Sequence, residues 1–433
     1  MAEGKGSRCD EVTKVAALNS DFRVSRPPFE NGEILHAGDK QRDGLRVSIR
    51  SIKLEKVFFM SGEHNRQVDE SDIVTPAERR NIWIWAIMLV VLFAAAAVLT
   101  AGALYKNKIA SIERHSDRMN PEVGEGGTKP PPTAPPAGAN PVRAGIYVDR
   151  IIDLSVKEAS WPVDFYLWFR WNGTGVDPGE NFQIVDGSIE SKEKVDEYTS
   201  GDERYVLHRV VARITKFFDV SRFPRDDHVL TINIESPASE RRELLFVADK
   251  ESSGLSSRVR IPGYSIYQQA VIEKPHAYSS THGDPRLAAG TEKVQSQLRM
   301  GVWIHRQGSG FYMKMFVALY VAVGVALIAF FIKPTDVDPR FGLGVGALGA
   351  VLVNTYVTSS LVPDTGVMTL ADIVNHVGIV TIFLSLMESA ISLYLYERRG
   401  KKLLSRLFDK VSFVIFFAGY LVINLVLPWA ATL

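Results

Sequence analysis

The chain has 433 residues, 46% of them apolar and 23% charged, and its 50 Lys and Arg against 49 Asp and Glu leave a formal net charge of +1. That balance, with no long basic run, argues against a nucleic-acid partner, and the single cysteine, Cys9, excludes both an intrachain disulfide and a cysteine-built metal site. The apolar residues are clustered into five stretches, Ile82 to Leu104, Phe311 to Ile332, Gly342 to Leu361, Ile373 to Tyr396 and Val411 to Trp429, each long enough for a helix to cross a bilayer, so a multi-pass protein of the cell membrane is expected.

Residues 1–81 are polar, balanced in charge and without sustained periodicity, which predicts a mostly disordered tail. The alternative is a non-functional extension, with Met60 as the true start. Residues 82–105 follow Arg79 and Arg80. They read as a retained anchor, because the apolar run is longer than a signal peptide needs, although Ala101-Gly102-Ala103 has the small residues of a cleavage site. Residues 106–142, with Lys129-Pro130-Pro131-Pro132 and Pro135-Pro136, predict a partly extended linker.

From 143 to 308 the pattern changes to alternation. Phe165, Leu167, Phe169 and Trp171 alternate with Tyr166, Trp168 and Arg170; Leu230, Ile232 and Ile234 with Thr231, Asn233 and Glu235; Leu298, Met300, Val302 and Ile304 with Arg299, Gly301, Trp303 and His305. Half-buried antiparallel strands broken by turn residues predict an immunoglobulin-like β-sandwich. Asn172-Gly173-Thr174 is read as a turn ahead of a glycosylation sequon.

Residues 309–433 predict four transmembrane helices at about 311–332, 341–361, 372–396 and 411–430. The stretch Arg340 to Pro363 is unsuited to lipid, with Gly342, Gly344, Gly346 and Gly349 followed by Asn354, Thr355, Thr358, Ser359 and Ser360. At helical spacing Gly342, Gly346, Gly349, Val353, Tyr356 and Ser360 form one stripe. Two readings stay open for it, the wall of an aqueous pore and a small-residue packing seam. The basic segment Glu397 to Lys402, with Arg406 and Lys410 beyond, contrasts with a connection from Pro363 to Asp372 that holds no Lys or Arg. By the positive-inside rule the basic segment is cytoplasmic, which puts the N-terminus inside and the β-domain and C-terminus outside or in the periplasm. Arg79 and Arg80 agree with that orientation.

Three local patterns resemble one family. Phe218-Asp219-Val220-Ser221-Arg222-Phe223-Pro224-Arg225-Asp226 resembles an inter-strand loop with an FPxD core, Lys216 and Leu230 standing where animal receptors have cysteines. Trp303-Ile304-His305-Arg306 before Phe311-Tyr312 resembles the last strand entering the first channel helix. Leu361-Val362-Pro363, followed by Met368-Thr369 and a span with Glu388, resembles the turn between the second and third channel helices. With the domain order, these make residues 143–433 similar to a pentameric ligand-gated ion channel of the Cys-loop receptor superfamily, prokaryotic type, to which an extra N-terminal span is added.

The resemblance implies a homo-pentamer with the stripe facing the pore. Phe223, Pro224, Asp226, Arg306 and Pro363 would couple the two domains, and a small-molecule or ion ligand would bind between neighbouring sandwiches, with Tyr166 and Tyr278 as aromatic candidates. Where the family has a bulky apolar ring this chain has Gly349, so the gate is expected at Val353 and Tyr356. Mouth charges fall on Asp336, Asp338, Arg340 and Asp364, favouring permeant inorganic cations. His276, His282 and Asp284 lie in the flexible stretch 275–291 and are candidates for metal binding or proton sensing, or else solvated loop residues. Asn375, His376, Glu388 and Asn424 are expected to face neighbouring helices. No cofactor motif and no Ser/His/Asp, HExxH, P-loop or paired-Cys signature occurs in the exported region, so an enzyme is not expected. The competing expectation is a non-conducting receptor or scaffold of the same architecture, with closely packed glycines and a tail that meets a cytoplasmic partner.

Overall fold

The computed structural model describes residues 74–124, 134–285, 288 and 290–432. Most of the expected tail, with Cys9 and Met60, and the run Lys129 to Pro132 lie outside the described residues. Helix α1 (Pro76–Arg118) opens on a capping box: the Thr75 side chain accepts from the Glu78 amide, and the Glu78 carboxylate accepts from the Thr75 amide. The helix outruns its apolar segment. No Gly or Pro stands between Gly102 and Pro121, so nothing breaks it before Arg118. The first part of the expected linker is therefore helical. Its last carbonyls accept from Lys274 Nζ (Asp117 O, 2.7 Å) and Arg299 Nη1 (Arg118 O, 2.7 Å), cations suited to the negative end of a helix.

The β region runs from Asn140 to Arg306. One sheet has the order β4 (Gly187–Ser200), β5 (Glu203–Thr215), β2 (Ser160–Asn172), β1 (Asn140–Ile151) and β7 (Leu244–Ala248), with β8 (Gly254–Leu255) also on β1. A second has the order β3 (Gln183–Ile184), β6 (Asp227–Glu235), β12 (Gln297–Arg306) and β9 (Tyr264–Glu273). A short pair, β10 (His276–Tyr278) and β11 (Lys293–Gln295), stands apart. Pairing is antiparallel except where β7 and β8 meet β1. The alternate residues Phe165, Leu167, Phe169, Leu230, Ile232, Ile234, Leu298 and Ile304 from both sheets are wholly buried in one cluster. At the end of β2, Gly173 takes a φ of +83°, the turn that Asn-Gly signals.

Alternation does not give half-exposed strands throughout. Strand β6 is buried along its whole length, and β12 is buried from Gln297 to Ile304. The reason lies in α1. Its C-terminal end covers the outer face of β12, where Arg299 holds the Arg118 carbonyl. A Cβ added at Gly301 would stand 2.6 Å from Met119 Cε. Glycine there admits the close approach.

Four further helices follow: α2 (Gly310–Ile328), continued by a 3₁₀ turn Ala329–Phe331, then α3 (Val337–Ser359), α4 (Leu370–Glu397) and α5 (Lys402–Ala430). Helix α5 starts well before the expected residue 411, since the basic segment closes in a tight turn with Gly400 at φ +65°, and Arg406 and Lys410 stand on the helix. All five helices are long and apolar enough to cross a membrane. Helices α1 and α5 run parallel and side by side. Trp85 lies 5.5 Å from Phe408 and donates to Ser412 Oγ at 3.2 Å, and farther along Phe93 meets Phe416 edge-on at 5.7 Å.

Candidate functional site

The loop between β5 and β6 carries the densest polar chemistry at the meeting of strands and helices. Asp226 is buried, and its carboxylate accepts from Arg306 Nε at 2.8 Å and Nη2 at 3.3 Å and stands 2.7 Å from His228 Nε2. Burial by itself would raise this carboxyl, but the His228 hydrogen bond and the Arg306 charge outweigh it and hold the acid far below the usual range. The Arg306 guanidinium lies against three rings, Tyr264 at 4.5 Å, Phe223 at 4.8 Å and Phe311 at 5.1 Å. Phe311 stands in the first turn of α2, so Arg306 ties the end of β12 to that helix.

The same loop caps α4. Leu370 N donates to Ser221 O at 3.1 Å and Ala371 N to Phe223 O at 3.0 Å, satisfying N-terminal amides that the helix leaves unpaired. Phe223, Pro224, Asp226 and Arg306 thus fall in one junction. Pro363, expected with them, is half-buried in the preceding turn, and the hydrogen-bonded contacts lie instead at Leu370 and Ala371. Thr365 and Val367 of that turn line a cavity of about 380 Å³ with Asp219, Val220 and Ser221.

A third arm of the junction was not anticipated. Asp227 accepts from Lys108 Nζ at 3.0 Å and Ser111 Oγ at 3.2 Å of α1, and it pairs with Arg222. Arg222 is 3% exposed and also donates to Ser111 Oγ at 3.0 Å and to the Ala431 carbonyl, just past α5, at 3.3 Å. Arg114 of α1 pairs with Asp219. Burial pushes the Asp227 carboxyl up, but the Arg222 charge and the Lys108 hydrogen bond prevail and lower it to about 2. The unbroken helical stretch to Arg118, nearly three turns beyond Lys108, was the sequence signal for this arm.

Helix α3 has two opposite faces. Arg340, Gly344, Ala347, Val351, Asn354 and Thr358 are buried against the other helices. Gly342, Gly346, Gly349, Val353, Tyr356 and Ser360 are exposed, Val353 at 65% and Tyr356 at 78%, and a Cβ added to any of the three glycines meets nothing within 4 Å. The glycine that packs against a helix of this chain is Gly344, where an added Cβ would stand 2.4 Å from Leu386 Cδ2 on α4. The stripe is therefore not a packing seam within the chain.

Asp336, Asp338 and Asp364 are exposed, but Arg340, expected among the mouth charges, is not. Its guanidinium is wholly buried, 2.8 Å from the Asp409 carboxylate on α5, 3.4 Å from Glu388 on α4 and bonded at 3.0 Å to the Ile332 carbonyl. A charge paired in this way ties helices together and is not offered to an aqueous opening. Alongside it, Asn354 donates to Asn375 at 2.9 Å, which donates to Thr358 at 2.8 Å, the interhelical bonding expected of Asn375.

Of the ligand candidates, His276, Tyr278 and His282 come together. His276 Nδ1 and the Tyr278 hydroxyl contact opposite oxygens of the buried Glu235 carboxylate at 2.7 and 2.8 Å, and His282 stands 5.1 Å from the Tyr278 ring. Glu235 also accepts from Gln297 at 2.7 Å. It was visible in the sequence only as a strand position. Tyr166 stands apart on β2, with the Arg209 guanidinium 5.8 Å over its ring. No group of three or more His, Cys, Asp and Glu side chains placed to hold a metal occurs among the described residues. No family model matches this sequence, and no curated protein matches it.

Proposed function

We propose that the chain is one subunit of a pentameric ligand-gated ion channel, in which the β region forms a β-sandwich outside the membrane and α2 to α5 a four-helix channel domain. The observation that carries this reading is the two-faced α3. Its buried stripe anchors it to α4 and α5, while the uncovered side holds Val345, Leu352 and Val357 beside a stripe of Gly342, Gly346, Gly349, Val353, Tyr356 and Ser360 that is poor in the apolar side chains hydrocarbon calls for. Five such faces turned inward would line an aqueous path, with Val353 and Tyr356 as its narrow rings and the exposed Asp336, Asp338 and Asp364 favouring cations at its mouths.

A ligand between neighbouring β-sandwiches, near Tyr166 of one subunit and the His276, Tyr278 and His282 group of another, would shift a closed-open equilibrium through the Asp226 and Arg306 junction. That requires tighter binding to one of the two states. The parallel course of α1 and α5 supports an orientation in which both begin on the cytoplasmic side, beside Arg79, Arg80, Lys401 and Lys402.

Planar-bilayer recording of the purified protein tests the proposal, with Tyr356→Ala and Gly349→Leu beside the wild type, across pH and a panel of small amines and divalent ions. Unitary currents that change with these substitutions are expected. Silence under every condition from a sample shown to be an intact pentamer would overturn channel function and favour the non-conducting receptor.

A further inference from the structure

Helices α1 and α5 touch along one seam, at Trp85 with Phe408 and Phe93 with Phe416, and part beside it. Between them lies a groove of about 530 Å³ whose lining is almost wholly apolar, including Trp83, Val90 and Val91 of α1 and Val414 and Ile415 of α5. The one charged residue in its lining is Lys410. Arg79 and Arg80 stand one turn before Trp83, and Arg406 one turn before Lys410, so the parallel helices gather four exposed cations at the same end of the groove.

None of these four cations makes an ion pair among the described residues. The acids nearest in sequence are already engaged: Glu78 caps α1 and pairs with Lys401 at 3.6 Å, and Asp409 is committed to Arg340. An apolar slot that ends in uncompensated positive charge, on helices long enough to span a bilayer, matches one kind of molecule. We propose that the groove holds an acyl chain of an anionic phospholipid whose phosphate is bound by Arg79, Arg80 and Lys410.

The two halves of the site make separate demands. The walls select a hydrocarbon chain, since a straight chain fills a slot between Val90, Val91 and Val414 and brings no polar group to satisfy. The cations select the head group: arginine offers paired N–H donors to phosphate, while the ammonium of a choline lipid would meet four like charges. The seam at Trp85 and Phe93 stays closed, so the lipid does not part the helices. This site stands whether or not the chain conducts ions.

Native mass spectrometry of the full chain released from detergent tests it, with phosphatidylglycerol and phosphatidylcholine of identical acyl chains. Phosphatidylglycerol should be retained about tenfold better. The triple variant R79Q/R80Q/K410Q should abolish that preference without weakening phosphatidylcholine. The control R398Q/R399Q, at the end of α4 and outside the groove lining, should preserve it. Filling the slot with V90W/V414W should reduce binding of both lipids, and this arm stands even if the triple variant fails to fold. Equal retention of the two lipids would overturn the proposal, as would a loss in the control as large as in the triple variant, unchanged binding in V90W/V414W, or competition by soluble glycerol phosphate as strong as by the lipid.

Discussion

Replacing Asp227 with Asn removes one negative charge from the contact between α1 and the β5–β6 loop and keeps the shape of the side chain. Arg222, 3% exposed, then has no carboxylate, and breaking a buried pair from one side costs about 3–5 kcal/mol. The lower end applies, because Ser111 Oγ and the Ala431 carbonyl still accept from Arg222. Lys108, with 16% of its side chain exposed, adds at most about 1 kcal/mol. The lowering of the Asp227 carboxyl from 3.8 to about 2 independently corresponds to roughly 2 kcal/mol, so about 3 kcal/mol in all is consistent.

That loss should appear as local opening. Hydrogen–deuterium exchange at neutral pH should rise about a hundredfold in the amides of residues 108–118, while β2 and β5 stay protected. The sign with pH follows from a folded value below the unfolded one. The stabilisation is complete above the ordinary carboxylate range and is lost as pH falls from about 4 through about 2, so thermal unfolding of wild type and variant should converge over that window. A change in exchange below about threefold, or one spread evenly over the β region, would refute the assignment of Asp227 as the tie between α1 and the loop.

Gly344→Val should destabilise the helices by about 1–3 kcal/mol by driving a branched side chain into Leu386, whereas Gly346→Val should leave thermal stability within about 0.5 kcal/mol; melting of the two purified variants makes the comparison. Asp409→Asn should cost about 2 kcal/mol by removing the nearer of the two carboxylates on the buried Arg340, Glu388 remaining at 3.4 Å, and the triple change Arg340→Met, Glu388→Met and Asp409→Leu should recover most of that stability in the same assay. Glu235→Leu removes the acceptor shared by His276, Tyr278 and Gln297, and should raise proteolytic nicking of the 279–291 stretch several-fold relative to Glu235→Gln, which keeps one carbonyl acceptor.

Much of the fold was written in local pattern. Period-2 alternation at Phe165 to Trp171 and at Leu298 to Ile304 follows from residues that point to opposite faces of a strand, so the buried set could be named without coordinates. Apolar runs marked the helices for a similar reason, since spanning length is a property of one segment. The ends were less legible. Helix α1 continues past its apolar run and α5 begins before its own, because hydrophobicity marks where a helix can meet lipid and not where its hydrogen bonds stop.

By itself the sequence determined that apolar spans flank a strand-rich region and that small and polar residues share a stripe on α3. Which charges are partners was decided by the tertiary structure. Asp227 meets Lys108 from 119 residues away and Arg340 meets Asp409 from 69 residues away, pairings set by which helices lie side by side. Only packing divided the glycines of α3, pressing Gly344 against Leu386 and leaving Gly342, Gly346 and Gly349 open, because a residue's face is periodic along its own helix while its neighbour belongs to another.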